Sequence, residues 1–191
     1  MAGHTADADA ARAALDDPAP AVRATAYAAL ARLDALTASD IARALRDPDA
    51  HVRRRAATLA AQAEHATEVV DVLLGSLDDA EHLVAESAAW AFGEWGEHNP
   101  RLADTVTALS AMTTDHVEPL CREAAVAALG AIGDERGLGA ILVACGDKPA
   151  VRRRAVLALA PFDGPEVEAA IDTALTDRDW QVRQAAEDLR R

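Results

Sequence analysis

Two stretches of the chain carry the same phrase, HVRRRAATLAA at residues 51–61 and AVRRRAVLALA at residues 150–160. Each places a valine ahead of three arginines and then a run of small apolar residues. A triple arginine is typical of phosphate binding, whereas recurrence at a distance is typical of a structural repeat. The rest of the sequence decides between these two interpretations.

The phrase belongs to a repeat that runs along the whole chain. Aligning the chain on the valine gives six copies, whose anchor residues are Val22, Val52, Val84, Cys121, Val151 and Val182. Alanine stands four residues after every anchor, where closely packed helices need a small side chain. Arginine follows the anchor in every copy except the third, which has Ala85. A polar turn precedes each anchor and a short apolar segment precedes each turn, so the pattern predicts six helical hairpins.

Composition and turn residues support an all-helical chain. Apolar residues make up 51% and aromatic residues only 3%, so Ala, Leu and Val must build the interior. Asp49, Asp179 and Asn99 stand where N-caps are expected, and Gly133 stands where a left-handed residue ends a helix. A chain of 191 residues is long enough for one sizeable core. We therefore expect a single domain over residues 1–191 with no strand.

The segments CREAAVAALGAIGDERG at 121–137 and VRRRAVLALA at 151–160 resemble HEAT repeats of the phycobilisome-lyase-like subclass. The resemblance implies a right-handed α-solenoid, an α-α superhelix of about six HEAT-like hairpins. It also implies a ladder in which the arginine after each anchor bonds the turn aspartates of neighbouring repeats. The ladder residues implied in this way are Asp17, Asp47 and Asp177 with Arg23, Arg53, Arg122, Arg152 and Arg183.

Four arginines of the two triples have no ladder role: Arg54, Arg55, Arg153 and Arg154. Aligned positions place Arg54 opposite Glu86, and Arg153 opposite Glu123, in neighbouring repeats. This register predicts exposed ion pairs, which are common and individually weak. The alternative is that the four arginines form two basic spots beside an acidic centre on the inner face of the solenoid. An elongated protein partner would match that pattern.

The third repeat gains three aromatic residues in its second helix, VAESAAWAFGEWGEH. Phe92 and Trp95 align with apolar core positions of the fourth repeat, so both are expected to pack inside. Trp90 aligns with a mixed set of residues, which predicts partial exposure, and Glu86 and Glu94 lie one helical turn away on either side. Trp90 is therefore predicted to bind a partner together with these glutamates and the four arginines. The alternative is a tryptophan that fills a gap among alanines.

The sequence predicts no catalytic residue, metal site or cofactor. Deoxyhypusine hydroxylase resembles this architecture but binds iron through His-Glu pairs, and this chain has such pairs only in reverse order. They are Glu64-His65, Glu81-His82 and Glu97-His98. Cys121 and Cys145 lack metal-binding spacing, and neither a glycine-rich phosphate loop nor a nucleophile elbow is present. We therefore expect a protein that is not an enzyme.

Charge bears on partners and location. The formal net charge is -13 and Lys148 is the sole lysine, a balance that opposes nucleic acid and anionic membranes and is typical of a salt-rich cytoplasm. The acidic start lacks a signal-peptide pattern, so a cytoplasmic location is expected. The predicted function is a non-enzymatic protein-binding scaffold or adaptor that uses the concave face of the solenoid. The alternative is an accessory subunit of a lyase or another modifying enzyme. The sequence does not predict an oligomeric state.

Overall fold

The computed structural model describes residues 2–62 and 67–191, with side chains from residue 7 onward except that of residue 67. Within these ranges every regular element is helical, comprising twelve α-helices and four 3-10 turns. The predicted all-α class is confirmed. Of the reversed Glu-His pairs, Glu64-His65 lies outside the described residues.

Contacts along the chain separate two compact units, Met1–Ala91 and Phe92–Arg191. The first contains α1 (Ala2–Ala13), α2 (Pro20–Arg32), α3 (Ala38–Ala44), α4 (Ala50–Ala60), α5 (Thr67–Gly75) and most of α6 (His82–Trp95), with 3-10 turns at Ala14–Asp16 and Ser76–Asp78. The second contains α7 (Leu102–Asp115), α8 (Pro119–Ile132), α9 (Leu138–Ala144), α10 (Pro149–Ala158), α11 (Pro165–Ala174) and α12 (Trp180–Leu189), with 3-10 turns at Gly96–His98 and Glu135–Gly137. The single domain over residues 1–191 stays a prediction.

The twelve helices of the described chain form six consecutive hairpins, as predicted. Each even-numbered helix starts just before an anchor residue, and we refer to these as the second helices. Second helices stack on one another, α2 on α4 in the first unit and α8 on α10 and α10 on α12 in the second. The alanine that stands four residues after every anchor is buried. Small side chains at that position let the helix backbones come close together.

Two second helices approach closely at Gly130 of α8. A Cβ atom at this position would lie 2.6 Å from both the Cα and the Cβ of Ala158 in α10. Real side chains do not tolerate such a distance, so the residue must be glycine for the two helices to pack at this spacing. Close packing of this kind explains how a chain poor in aromatic residues fills its interior.

Side-chain caps and a left-handed glycine define several helix ends as predicted. Asp49 accepts a hydrogen bond of 2.9 Å from the backbone N–H of His51 at the start of α4. Asp179 accepts one of 2.8 Å from the N–H of Gln181 at the start of α12. Gly133 ends α8 with a φ of 69°, a conformation that glycine adopts without strain. The turns between helices are therefore encoded locally.

Asn99 is not an N-cap, which corrects the prediction for this residue. Helix α7 begins at Leu102 with Arg101 in the cap position. The side chain of Asn99 is buried and donates from Nδ2 to Oγ1 of Thr105 at 2.7 Å, while its Oδ1 accepts from the backbone N–H of Arg101 at 2.9 Å. The amide thus satisfies a buried hydroxyl as well as the turn that leads into the helix.

Candidate protein-binding surface

A ladder of arginine–aspartate pairs joins successive hairpins within each unit. Each complete rung links the arginine after an anchor to the turn aspartate of the following hairpin. The rungs are Arg23–Asp47 and Arg53–Asp79 in the first unit, and Arg122–Asp147 and Arg152–Asp177 in the second. Asp79 and Asp147 were not among the aspartates predicted from the sequence, although both stand in the polar turns before the next anchor. Asp17 and Arg183 form no rung within the described residues.

The geometry of a rung explains why arginine is needed. Arg53 donates from Nε to Oδ2 of Asp79 at 2.7 Å and from Nη2 to Oδ1 at 2.8 Å. Its Nη1 donates to the backbone carbonyls of Asp47 and Pro48, each at 3.0 Å. One guanidinium thus ties its own turn to the next turn with four hydrogen bonds. Lysine cannot form this planar fork.

The ladder shifts the pKa of its carboxylates. The guanidinium forks hold the pKa of Asp79, Asp147 and Asp177 below their usual range. Burial acts in the opposite direction on the pKa of Asp47, but hydrogen bonds from Arg23 and from the backbone of Asp49 lower it overall. These aspartates are charged at neutral pH and belong to the scaffold.

The remaining arginines of the first triple face solvent. Arg54 and Arg55 line a hollow of about 240 Å³ on α4, together with His51 and Thr58. The predicted pair between Arg54 and Glu86 is not formed among the described residues. The first triple therefore contains one structural arginine, Arg53, and two guanidinium groups that are open to a partner.

The second triple differs from the first in one contact. Arg154, and not Arg153, lies beside Glu123, with 3.6 Å between Nε and Oε1. The predicted pairing of Arg153 with Glu123 is wrong because the position three residues after an anchor, and not two, faces the preceding hairpin. Arg153 instead lines a hollow of about 220 Å³ with Leu157 of the same helix and Trp180 of α12.

The three aromatic residues of α6 divide as their alignment predicts. Phe92 and Trp95 are buried and contact each other edge to face, with ring centroids 5.6 Å apart at 88°. Trp90 is 41% exposed. Glu86 is half-buried and Glu94 is exposed, each one helical turn from Trp90. Trp90 stands six residues after its anchor, the position that Thr58 occupies in the hollow on α4, so it belongs to the same face of its helix.

Trp180 is a candidate site residue that the sequence did not indicate. It is 65% exposed at the first position of α12, where it forms one wall of the hollow that Arg153 lines. Gln184 and Asp188 contribute polar groups to the same hollow. The available signal was a tryptophan two residues before an anchor, where no other repeat carries phenylalanine, tyrosine or tryptophan. The turn residues around it gave no indication of its exposure.

Groups suited to catalysis are few in the described chain. Within residues 2–62 and 67–191 no three His, Cys, Asp or Glu side chains cluster in a way that would hold a metal ion. Burial raises the pKa of the Cys145 thiol to about 11, so this thiol is protonated at neutral pH and is a poor nucleophile. Cys121 is buried in α8. No helix of the described chain is both long and apolar enough to span a membrane.

Comparison with known proteins supports the repeat assignment. Residues 40–130 match the family model of HEAT repeats. No curated protein matches the chain. The matched segment covers most of α3, all of α4, α5, α6 and α7, and most of α8. The phycobilisome-lyase-like subclass stays a prediction.

Solved structures with the same fold are repeat proteins. The Escherichia coli protein YibA is 19% identical with a TM-score of 0.70, and the match covers 93% of this chain and 67% of YibA. A computationally designed armadillo repeat protein for modular peptide recognition is 17% identical with a TM-score of 0.63, covering 96% of this chain and 98% of the design. Kap95p, solved in connection with its binding to RanGDP, is 17% identical with a TM-score of 0.60, covering 97% of this chain and 28% of Kap95p. At these identities the similarity establishes the fold alone.

Proposed function

We propose that the chain is a non-enzymatic scaffold or adaptor that binds another protein through the exposed faces of its second helices. One observation carries the proposal. Each compact unit carries, on its second helices, one exposed tryptophan and at least one arginine that forms no ladder rung. In the first unit these are Trp90 of α6 with Arg54 and Arg55 of α4, and in the second unit they are Trp180 of α12 with Arg153 of α10. Tryptophan and arginine are the residues most enriched in the energetic centres of protein interfaces.

The chemistry of these surfaces favours a protein partner. The indole ring and the side chain of Leu157 offer apolar area, while the guanidinium groups select carboxylate or carbonyl groups. Glu86 and Glu94 lie beside Trp90, and their carboxylates favour cationic groups of a partner at this place. Among proteins of the same fold, the designed armadillo protein serves peptide recognition and Kap95p binds RanGDP, and these properties of those proteins agree with the proposal.

Several parts of the proposal rest on composition and resemblance. The net charge of -13 supports a partner other than nucleic acid or an anionic membrane. The same acidic and lysine-poor composition, which is typical of a salt-rich cytoplasm, supports a cytoplasmic location. The repeat phrase supports the phycobilisome-lyase-like subclass and a concave binding face. Arg154 lies against Glu123, which makes this arginine a supporting side chain of the surface and not its centre.

Substitution of the two exposed tryptophans tests the function. A partner is first captured with the wild-type chain from its source cells, identified, purified and used to measure dissociation constants. Trp90→Ala and Trp180→Ala are each expected to weaken binding by about 2 kcal/mol, since truncating a central aromatic removes most of its contact area. Circular dichroism is expected to be unchanged because both tryptophans are exposed and neither is among the buried core residues.

Val143→Ala is the matched control. Val143 is an exposed apolar residue on a first helix, α9, away from the second-helix faces. Its truncation is expected to leave binding unchanged. The proposal fails if the tryptophan variants bind like the wild type, or if they lower the melting temperature while binding is unaffected.

A further inference from the structure

Two contacts in the second unit define which side of a second helix faces the preceding hairpin. Arg154 lies 3.6 Å from Glu123, and Ala158 lies against Gly130. These residues stand three and seven positions after their anchor, so they share one side of α10 with the anchor itself. The equivalent residues of α2 are Val22, Thr25 and Ala29.

That side of α2 is uncovered in the described chain. Together with Ala11 and Ala14 it forms a largely apolar hollow of about 510 Å³, with Asp7 at the rim. Val22 is 40% exposed, whereas the other five anchors are at most 1% exposed. The hydroxyl of Thr25 donates to the backbone carbonyl of Ala21 at 2.7 Å, which leaves the hollow without an exposed hydroxyl proton. We call this surface the open face.

The turn beside the open face carries half of a ladder rung. Oδ1 of Asp17 accepts from the backbone N–H of Ala19 at 2.8 Å, just as Oδ1 of Asp47 accepts from Asp49 at 2.9 Å. Asp47 also receives two hydrogen bonds from Arg23 of the preceding hairpin, at 2.8 and 2.7 Å. No arginine of the described chain donates to the carboxylate of Asp17. The carboxylate is therefore held in the rung geometry with its place for a guanidinium unfilled.

A second copy of the chain does not supply a matching surface at α12. The side of a second helix that faces the following hairpin contains the ladder arginine and the residues four and seven positions later. In α10 these later residues are the buried Val156 and Leu159, but in α12 they are the exposed Glu187 and Arg190. Burying such charges in an apolar hollow is costly. Two open faces placed together would bring no arginine to either Asp17, because none of the residues that line the hollow is an arginine.

We propose that the open face binds an amphipathic helix of another protein, with an arginine that reaches Asp17 and small apolar side chains that fill the hollow over Val22. The helix takes the place that α2 takes on α4 and that α8 takes on α10. The net charge of -13 and the rim carboxylate of Asp7 favour the approach of such a cationic group. This surface is separate from the second-helix faces that carry the tryptophans.

A peptide taken from the chain itself tests the proposal. The probe is a fluorescein-labelled peptide with the sequence of residues 119–132, because α8 packs on α10 and its Arg122 completes the rung to Asp147. Cys121→Ser removes the thiol, and a hydrocarbon staple between positions 124 and 128, on the side away from the hollow, holds the helix. Fluorescence anisotropy with the full chain is expected to give saturable binding.

Variants of the chain and of the peptide locate the binding site. Asp17→Asn is expected to weaken binding at least about fivefold, the loss of one charged hydrogen-bonded pair, and Val22→Glu to weaken it more than about tenfold. The peptide variant Arg122→Gln is expected to bind the wild-type chain with the same reduced affinity that the parent peptide has for the Asp17→Asn chain. Combining the two changes is expected to add little, because both remove the same contact.

Asp9→Asn and Trp180→Ala are the controls. Asp9 is an exposed carboxylate of α1 outside the hollow, so its substitution changes the charge equally without touching the open face. Trp180→Ala separates the open face from the proposed protein-binding function. Both are expected to bind the peptide like the wild type. The proposal is overturned by absence of saturable binding, by equal effects of Asp17→Asn and Asp9→Asn, or by self-association of the chain that competes with the peptide.

Discussion

At the scale of single residues, adjacent arginines of one triple differ in burial and in their contacts. Arg152 is buried and completes a rung with Asp177, while the adjacent Arg153 lines a hollow open to solvent. The difference follows from helix geometry, because consecutive side chains are separated by about 100° around the axis. One arginine of each triple therefore serves the scaffold, and at least one other is open to a partner.

Acid should weaken the fold through the ladder carboxylates. The pKa values of Asp79, Asp147 and Asp177 are lowered in the folded chain, and that of Asp134 falls from 3.8 to about 2 beside Arg136. A lowered folded pKa gives stability that is complete above the unfolded pKa and is lost as the pH falls through the folded pKa. The free energy of unfolding should be level from pH 7 to about 5 and fall between about pH 4 and 2.

The measurement is urea unfolding in about 1 M salt. Acid also relieves the repulsion among carboxylates by neutralising them, and salt at this concentration screens that repulsion at every pH. The remaining change in stability then reports on the ladder. Asp177→Asn should lower the stability at neutral pH and reduce the further loss in acid. Stability that rises steadily below about pH 4 would contradict the role of these carboxylates.

At the scale of helices, two glycines in one unit should respond to alanine with opposite signs. Gly130→Ala places a Cβ 2.6 Å from the Cα of Ala158, so α8 and α10 must separate, at a cost of about 1–3 kcal/mol. A Cβ added to Gly139 of α9 would meet no atom within 4 Å apart from its chain neighbours and the backbone of its own helix, so Gly139→Ala should stabilise by about 0.5 kcal/mol through the unfolded state. Denaturant midpoints of the two variants measure both effects, and destabilisation of equal size would refute this packing.

The sequence predicted the helices well and the pairing between helices less well. Anchors, alanines and turn aspartates recur at fixed positions, which was enough to predict six hairpins and the burial of Phe92 and Trp95. It was not enough to predict that Arg154, and not Arg153, meets Glu123, because register along a helix does not give the rotation of one helix against another. Trp180 was missed because exposure at a helix start depends on the neighbouring helix.

At the scale of the whole molecule, charge should link stability to salt. The chain carries a formal charge of -13 with almost all of its cationic charge on arginine. Repulsion among its carboxylates acts over about 30 Å at 0.01 M salt but only about 3 Å at 1 M. The melting temperature should therefore fall when salt is diluted over this range. An unchanged or higher midpoint at low salt would indicate ordinary acidity and not adaptation to a salt-rich cytoplasm.

The central claim is that the ladder arginines hold the repeats together while their neighbours bind the partner. Arg152→Ala and Arg153→Ala test it in one comparison, each assayed for unfolding free energy and for affinity to the purified partner. Arg152→Ala should lose about 1–3 kcal/mol of stability because it leaves a partly buried carboxylate unpaired, with partner affinity of the folded chain unchanged. Arg153→Ala should lose less than about 1 kcal/mol of stability but weaken binding and reduce its dependence on salt. Equal losses of stability at the two positions, or unchanged binding by Arg153→Ala, would contradict the account.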